Sequence, residues 1–312
     1  MKLCHVFGPV SSRRLGSSLG VRNVPYKVCT YSCIYCQAGP TTVKTVRRTQ
    51  FYDLRELIKE LEDVVKSVEV NYVTFVPSGE PTLDIQLGKA ARLVKKFGRR
   101  VAVLTNASLL WLSDVIEDLM VFDYVSLKID AVNEDLWRRI NRPHKSIALD
   151  QVLSGVKEFT KKYNGLLTTE TMLVHGVNDT EDHIENLAKF IKGLRVDKAY
   201  ISIPVRPPTE KWVKPPTEEA LVKAYSIFVK HLGEKRVEVL SSLEPPPSYR
   251  PKNIIDYILN TVATHPLKLD YVIKLLSSYY SNPEEKLEEL VRSNYVVIVE
   301  HLGQKFVVRR FR

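Results

Sequence analysis

Between residues 50 and 240 the chain switches repeatedly between two hydrophobic periods, and this rhythm restricts its fold more than any other feature. Leu54, Leu57, Ile58, Leu61, Val64 and Val65 repeat at helical spacing, and Val70–Val76 is a short β-branched and aromatic run. The same reading predicts helices over 83–97, 111–120, 133–140, 149–162, 180–193 (Thr180 as N-cap) and 217–232. Strands are predicted over 100–105, 123–129, 166–174, 197–203 and 236–240. With a further strand near Leu19–Val24 there are about six or seven β-α units. Repeated units of this kind require an α/β fold with a helix-covered parallel sheet, and suit an open or partial barrel.

Two Pro-rich stretches interrupt the rhythm. Ile203–Pro216 contains PVRPPTEKWVKPP, a stiff connection that reads as a rigid surface loop or as a cover for the barrel mouth. Residues 243–251 read as an extended linker, which divides a barrel of 1–242 from a small domain of 252–312. In that domain helices are predicted over 253–263, 268–277 and 283–292, the last with Asn282 as N-cap. Runs 295–300 and 305–309 flank a His301-Leu302-Gly303-Gln304 turn. Three helices and a hairpin are winged-helix-like. Nine basic against seven acidic residues make the module only slightly positive, so a docking or structural module competes with a nucleic-acid reader.

Formal net charge is +10, and residues 1–50 supply eight basic residues (Lys2, Arg13, Arg14, Arg22, Lys27, Lys44, Arg47, Arg48) with no Asp or Glu. So one-sided a segment predicts an anionic partner. The longest apolar runs are too short to cross a bilayer, and the N-terminus does not read as a secretory signal. A cytoplasmic protein without membrane contact is expected. All four cysteines, Cys4, Cys29, Cys33 and Cys36, lie in the first 36 residues. Three within eight residues predict metal or redox chemistry rather than a disulfide framework. Three thiolates on one loop suit a [4Fe–4S] cluster with one iron left open, since such clusters normally take four cysteines. The competing reading is structural zinc with Cys4 or His5 as fourth ligand, which would make the chain a zinc-bearing nucleic-acid-binding module.

The run CTYSCIYC, Cys29 to Cys36, resembles the C-x3-C-x-Φ-C signature of the radical S-adenosylmethionine (SAM) superfamily, with Tyr35 as Φ. Further features follow in the family's order. Pro77–Thr82, PSGEPT, is similar to its GGEPT motif with Ser78 for the first Gly. Leu104-Thr105-Asn106 ends one predicted strand, Ser126-Leu127-Lys128 the next, and Thr169–Asp179 covers a third with its loop. The leader FGPVSSRRLGSSLG and Arg139–His144 resemble an FGP-x-SRRLG-x-SLG group near the tRNA wyosine synthase branch. Wyosine synthases carry a second cluster on extra N-terminal cysteines; with Cys4 alone outside the loop, none is expected here.

The resemblance implies a partial (β/α)6-type radical SAM barrel over roughly residues 5–240. It implies Cys29, Cys33 and Cys36 as iron ligands. It further implies Tyr35, Ser78, Gly79, Glu80, Thr105, Asn106, Ser126, Lys128 and Met172 as SAM contacts, with Glu80 and the Ser78-Gly79 backbone receiving the ammonium and Lys128 the carboxylate. Read singly, Glu80 caps a helix, Thr105 and Asn106 cap a turn, and Lys128 is a strand-end charge. The implied chemistry is reductive cleavage of SAM at the cluster, giving methionine and a 5′-deoxyadenosyl radical that abstracts hydrogen from substrate, with no catalytic residue beyond cluster and SAM. Apolar strand residues lining the barrel would exclude water. Implied partners are SAM, an electron donor and an anionic substrate such as tRNA. The alternative is a glycyl-radical-activase-like or small-molecule enzyme whose tail docks a protein.

Overall fold

A computed structural model describes residues 4–243, 249 and 251–310. Linker residues 244–248 and 250 therefore lie outside the described residues, as does Lys2 of the basic leader. The chain opens with a hairpin of β1 (Val6–Ser12), which was not predicted, and β2 (Gly16–Val21), which overlaps the strand expected near Leu19–Val24, followed by two short strands, β3 (Val28–Cys29) and β4 (Val43–Lys44). The expected rhythm then appears as α1 (Leu54–Val65), β5 (Tyr72–Phe75), α2 (Leu87–Lys95), β6 (Arg100–Thr105), α3 (Ser113–Leu119) and β7 (Tyr124–Lys128). It continues through α4 (Glu134–Asn141), α5 (Leu149–Lys162), β8 (Leu166–Met172), α6 (Glu181–Lys192), β9 (Lys198–Ser202), α7 (Glu218–Leu232) and β10 (Val237–Leu240). Caps fix several starts: the Asp53, Asn133 and Thr217 side chains accept from the first turns of α1, α4 and α7. Thr180 stands at the N-cap of α6 without a side-chain cap bond.

Eight strands form one curled sheet in the order β1-β2-β5-β6-β7-β8-β9-β10, an open half-barrel in which only β1 runs antiparallel. The curl brings the two edges near each other: Arg13, just past β1, donates from Nη1 to the carbonyls of Leu240 (2.7 Å) and Ser242 (3.1 Å) beyond β10. Period-2 alternation divides the strands into two faces. Val73, Phe75, Val101, Val103, Val125 and Leu127 pack with Leu57, Leu61, Ala90, Val94 and Val115 of the helices. The inner face is largely polar: Ser18 bonds Thr74 (2.6 Å), Tyr124 bonds Thr168 (2.8 Å), and Lys128 and Glu170 stand above them. Among the described residues, Leu15, Ala102 and Tyr124, with Tyr72 and Leu104 against them, form the one inner apolar cluster. The expectation of an apolar-lined interior is corrected accordingly. The apolar strand residues face the helices, because that is where a large dry surface lies.

The C-terminal module comprises α8 (Ile254–Thr261), β11 (Leu267–Lys268), α9 (Leu269–Ser277), α10 (Pro283–Arg292), β12 (Val296–His301) and β13 (Gln304–Arg309). Its sheet runs β11-β13-β12, and Leu302 and Gly303, both at positive φ, make the two-residue hairpin turn. It has its own apolar core around Ile258, Val272, Leu276 and Val307. No helix among the described residues is long and apolar enough to cross a membrane.

The module is clamped to the barrel. Arg22, 4% exposed, donates to the carbonyls of Cys4 (3.0 Å) and Asn260 and to Thr264 Oγ1 (3.1 Å), and its guanidinium lies 4.1 Å from the Phe7 ring centre. Tyr257 Oη donates to Pro9 O (3.1 Å), and His301 Nε2 to Pro204 O (2.7 Å). Replacing Arg22 by Met strands these buried acceptors and should cost about 3 kcal/mol of stability. The check is a lowered urea midpoint together with faster hydrogen exchange in the 260–265 amides.

Candidate active site

The cysteine loop is tied to three β-α loops. Ahead of it, the Lys27 N–H donates to Ser78 O (2.8 Å) and the Glu80 N–H to Val28 O (3.2 Å). Gly79 is required at this crossing, since a Cβ there would sit 2.1 Å from Val28 O. From α4 and its C-terminal turn, Ile140 O and Asn141 O accept from the N–H groups of Ile34 and Ser32 (both 3.0 Å), and the His144 N–H reaches Thr30 O (2.8 Å). From the Pro-rich connection, the Glu210 N–H donates to Ile34 O (3.0 Å) and Thr209 Oγ1 to Cys36 O (2.8 Å). That connection is thus no detached surface loop; it closes one side of the site.

Each sulfur has a nitrogen donor beside it. Asn106 Nδ2 lies 3.7 Å from Cys29, Asn141 Nδ2 3.5 Å from Cys33, and Lys27 Nζ 3.2 Å from Cys36. Burial pushes the Cys33 thiol up to about 12 and raises Cys29 above its ordinary value too. Such thiols ionise only when a cation takes the place of the proton, and metal binding would release those protons. Three partly buried thiols on one loop, each with a donor that can stabilise anionic sulfur, fit a cluster held by thiolates. No three His, Cys, Asp or Glu side chains among the described residues gather at a position for a single metal ion. Cys4 and His5 are held elsewhere: the Cys4 N–H donates to Asn260 Oδ1 (3.0 Å), and the His5 ring packs against Tyr52 at 5.0 Å.

Asp130 was missed by sequence reading and is central. Its side chain has no exposed surface. It accepts from Tyr35 Oη, Asn141 Nδ2 (2.7 Å) and the Met172 N–H (2.8 Å), and Lys128 Nζ is 3.6 Å away. Lys128 also bonds Glu170 (3.1 Å) and stands 5.1 Å from the Tyr35 ring centre, and burial pushes its ammonium down to about 8 against the pull of Asp130. The only sequence signal was an acidic residue two places past the SLK strand end.

A cavity of about 320 Å³ opens on this side of the loop. Of the expected site residues, Tyr35, Cys36, Lys128 and Met172 line it, together with Arg13, Arg14, Gln37, Glu170, Arg206, Thr264 and His265. Ser126 lies deeper on the inner face and is buried. Ser78, Gly79, Glu80, Thr105 and Asn106 are not among the residues lining this cavity. The Ser78 hydroxyl bonds Ala263 O (3.1 Å) and Thr264 Oγ1 (2.9 Å) of the C-terminal module. Glu80 is a brace: its oxygens accept from Thr105 Oγ1 (2.6 Å), the Asn106 N–H (2.8 Å), and Thr82 Oγ1 (2.7 Å) and N–H (3.1 Å). Burial raises its carboxyl and these bonds oppose the rise. Three of the four donors fall on Oε1 and one on Oε2, and the Glu80 side chain also caps the short 3₁₀ turn Pro81–Leu83.

The basic leader also needs correction. Arg14 pairs with Glu170, Arg48 with Asp114 and Asp118, Lys44 donates to Arg142 O (3.0 Å), and Arg22 and Lys27 are buried. Arg14, Arg22, Lys27 and Arg48 are thus engaged inside the molecule while Lys44 and Arg47 stay exposed, because counting charges along a chain does not reveal where their partners fold.

Comparison with known proteins agrees with this geometry. "UPF0026 protein MJ1312" of Methanocaldococcus jannaschii is 38% identical over 309 residues, covering 98% of this chain and 96% of that one. Among solved structures, TYW1 with a lysine-pyruvate adduct bound superposes with a TM-score of 0.53 at 18% identity, over 70% of this chain and 75% of that one. A radical SAM methyltransferase from Sphaerobacter thermophilus gives 0.54 at 16% identity, over 73% and 67%. These likenesses show the fold. The radical SAM superfamily model matches residues 23–191, a segment that runs from just ahead of the cysteine loop to the end of α6. The chain belongs to the radical SAM superfamily and is an enzyme of that class.

Proposed function

We propose that this enzyme holds a [4Fe–4S] cluster on Cys29, Cys33 and Cys36, cleaves SAM reductively there, and acts in RNA modification. The observation that carries the cluster reading is the loop itself: three partly buried thiols, each beside a nitrogen donor, next to a cavity at the C-terminal ends of parallel strands. When bound, cluster and SAM together supply a 5′-deoxyadenosyl radical for hydrogen abstraction. The chain's own residues orient and enclose. Tyr35, fixed by Asp130, fills the space beside Cys36 and presents its ring to Lys128. Lys128 offers a charge-assisted contact to the carboxylate of SAM, and Met172 an apolar one. Asn106 and Asn141 direct donors at sulfur.

The RNA reading is supported by the resemblance of the leader and Arg139–His144 to the wyosine synthase branch. The winged-helix-like reading of 252–312 belongs to the same proposal, with residues 263–266 turned toward the barrel. A second reading, a small-molecule substrate, is favoured by the modest cavity volume and by the Thr264–His265 wall across it. Docking of a separate protein by the tail is less well supported, since α8 and its following segment are already committed to the barrel.

Cys29→Ala, Cys33→Ala and Cys36→Ala should each remove cluster iron and the brown colour of anaerobically reconstituted protein, whereas Cys4→Ala keeps both; iron analysis decides. Lys128→Ala should weaken SAM binding roughly tenfold, the loss of one charge-assisted contact, while iron content stays constant. Equal affinity in equilibrium dialysis would remove Lys128 from the SAM site. Anaerobic incubation with dithionite, SAM and total RNA should yield 5′-deoxyadenosine with an altered nucleoside, and RNA binding should fall steeply with salt. Deoxyadenosine without any altered nucleoside would favour the small-molecule substrate.

A further inference from the structure

Three segments that lean on the cysteine loop are unusually basic. Residues 42–48, 138–146 and 206–216 together hold ten Lys or Arg and one acidic residue, Glu210. Each is joined to the loop by backbone contacts: β4 pairs with β3, the Thr45 N–H donates to Cys29 O (3.0 Å), Asn141 O and Arg142 O accept from Ser32, and Glu210 N–H reaches Ile34 O. Glu210 is itself paired with Arg142. Arg47, Arg139, Lys145, Lys211 and Lys214 are exposed, and none has an ion-pair partner among the described residues. Beside them Trp212 is 49% exposed and Val43 51% exposed.

Resting on the cluster reading above, we infer that this basic collar, Arg47, Arg139, Lys145, Lys211, Trp212 and Lys214, is the docking surface for an acidic one-electron carrier protein that reduces the cluster. Electron transfer falls off steeply with distance, so a donor must seat close to the cysteines, and each segment of the collar is hydrogen-bonded to their loop through Thr45, Asn141, Arg142, Thr209 or Glu210. An exposed tryptophan with separate cations around it suits a small, transient, electrostatically steered contact with an acidic surface. One electron leaves the carrier's reduced centre and enters the oxidised cluster; no bond forms or breaks and no proton need move. RNA is the weaker occupant: its reacting nucleoside must reach the cavity, which Arg13, Arg14, His265 and the inner face line, whereas the carrier needs only proximity to the cysteines.

The test uses reconstituted full-length enzyme and a reduced plant-type [2Fe–2S] ferredoxin. In a Lys211→Glu/Lys214→Glu/Arg139→Glu/Lys145→Glu variant the rate of cluster reduction by ferredoxin should fall at least tenfold. Its dependence on ionic strength should flatten, and affinity for oxidised ferredoxin by calorimetry should drop in parallel. The milder Lys211→Gln/Lys214→Gln variant should show the same trend should the first fail to fold. Dithionite, which needs no docking, should bleach wild type and variants equally. Ferredoxin rates and affinity unchanged by the substitutions, or a wild type that ferredoxin does not reduce, would overturn the proposal alone. So would loss of tRNA binding with ferredoxin binding intact. Failure of dithionite to bleach the wild type would overturn the cluster reading and this proposal with it.

Discussion

The site depends on a buried carboxylate that the fold must satisfy. A carboxylate removed from water costs several kcal/mol unless hydrogen bonds and counter-charge replace its hydration. Asp130 obtains them from the cysteine loop through Tyr35, from α4 through Asn141, from the end of β8 through the Met172 amide, and from Lys128 of β7. Its own carbonyl is held by Asn178 (3.0 Å) and His183 (3.1 Å), so the anchor cannot swing to a compromise position. Glu80 does the same on the opposite flank, binding Thr82, Thr105 and Asn106. Asn106 and Asn141 then aim at Cys29 and Cys33 from these two supports. A loop with almost no regular secondary structure is thereby fixed from both sides, as a site must be when ligand geometry matters.

The second module extends this logic across the domain seam. Thr264 bonds Ser78 and Arg22, its carbonyl accepts from Gln37 (2.9 Å), and Arg206 donates to Pro266 O (3.3 Å) and to the His265 ring (2.9 Å). Arg22 and Arg206 are almost fully buried. A buried guanidinium with five donors is well suited to gathering carbonyls from two chain segments. The barrel alone would leave those donors unmet, so module and barrel form one working unit at the cavity.

Much of the architecture is legible in sequence because it is local. Helical and period-2 patterns in 54–65, 149–162 and 237–240 need only the chain's own neighbours, and the predicted elements lie within a few residues of the observed ones. The three cysteines are legible for the same reason. What was not legible is mostly long-range. The local exception is β1, whose Gly, Pro and Ser leave no clear alternation, although its partner β2 overlaps the strand expected near Leu19–Val24. Asp130 resembles any acidic residue after a strand. Thr264 and His265, more than 200 residues from the cysteine loop, carry no motif at all. Glu80 shows how much a motif leaves unsaid: its type and place were legible, but its bonds to Thr82, Thr105 and Asn106 were not.

Charge gives the sharpest case of the difference between counting and locating. The leader's eight basic residues suggested a surface for anions, yet Arg14, Arg22, Lys27 and Arg48 spend their donors within the protein. The exposed cations around the cysteine loop come from three separated segments: Arg47 of the leader after β4, Arg139 and Lys145 around the end of α4, Lys211 and Lys214 in the Pro-rich connection. The last two stay out because the connection turns at residues 209–212, where Thr209 and Glu210 pin it to the cysteine loop and Val213 is the side chain that is buried. A field assembled in this way is centred on the loop because the loop is what its three contributors have in common.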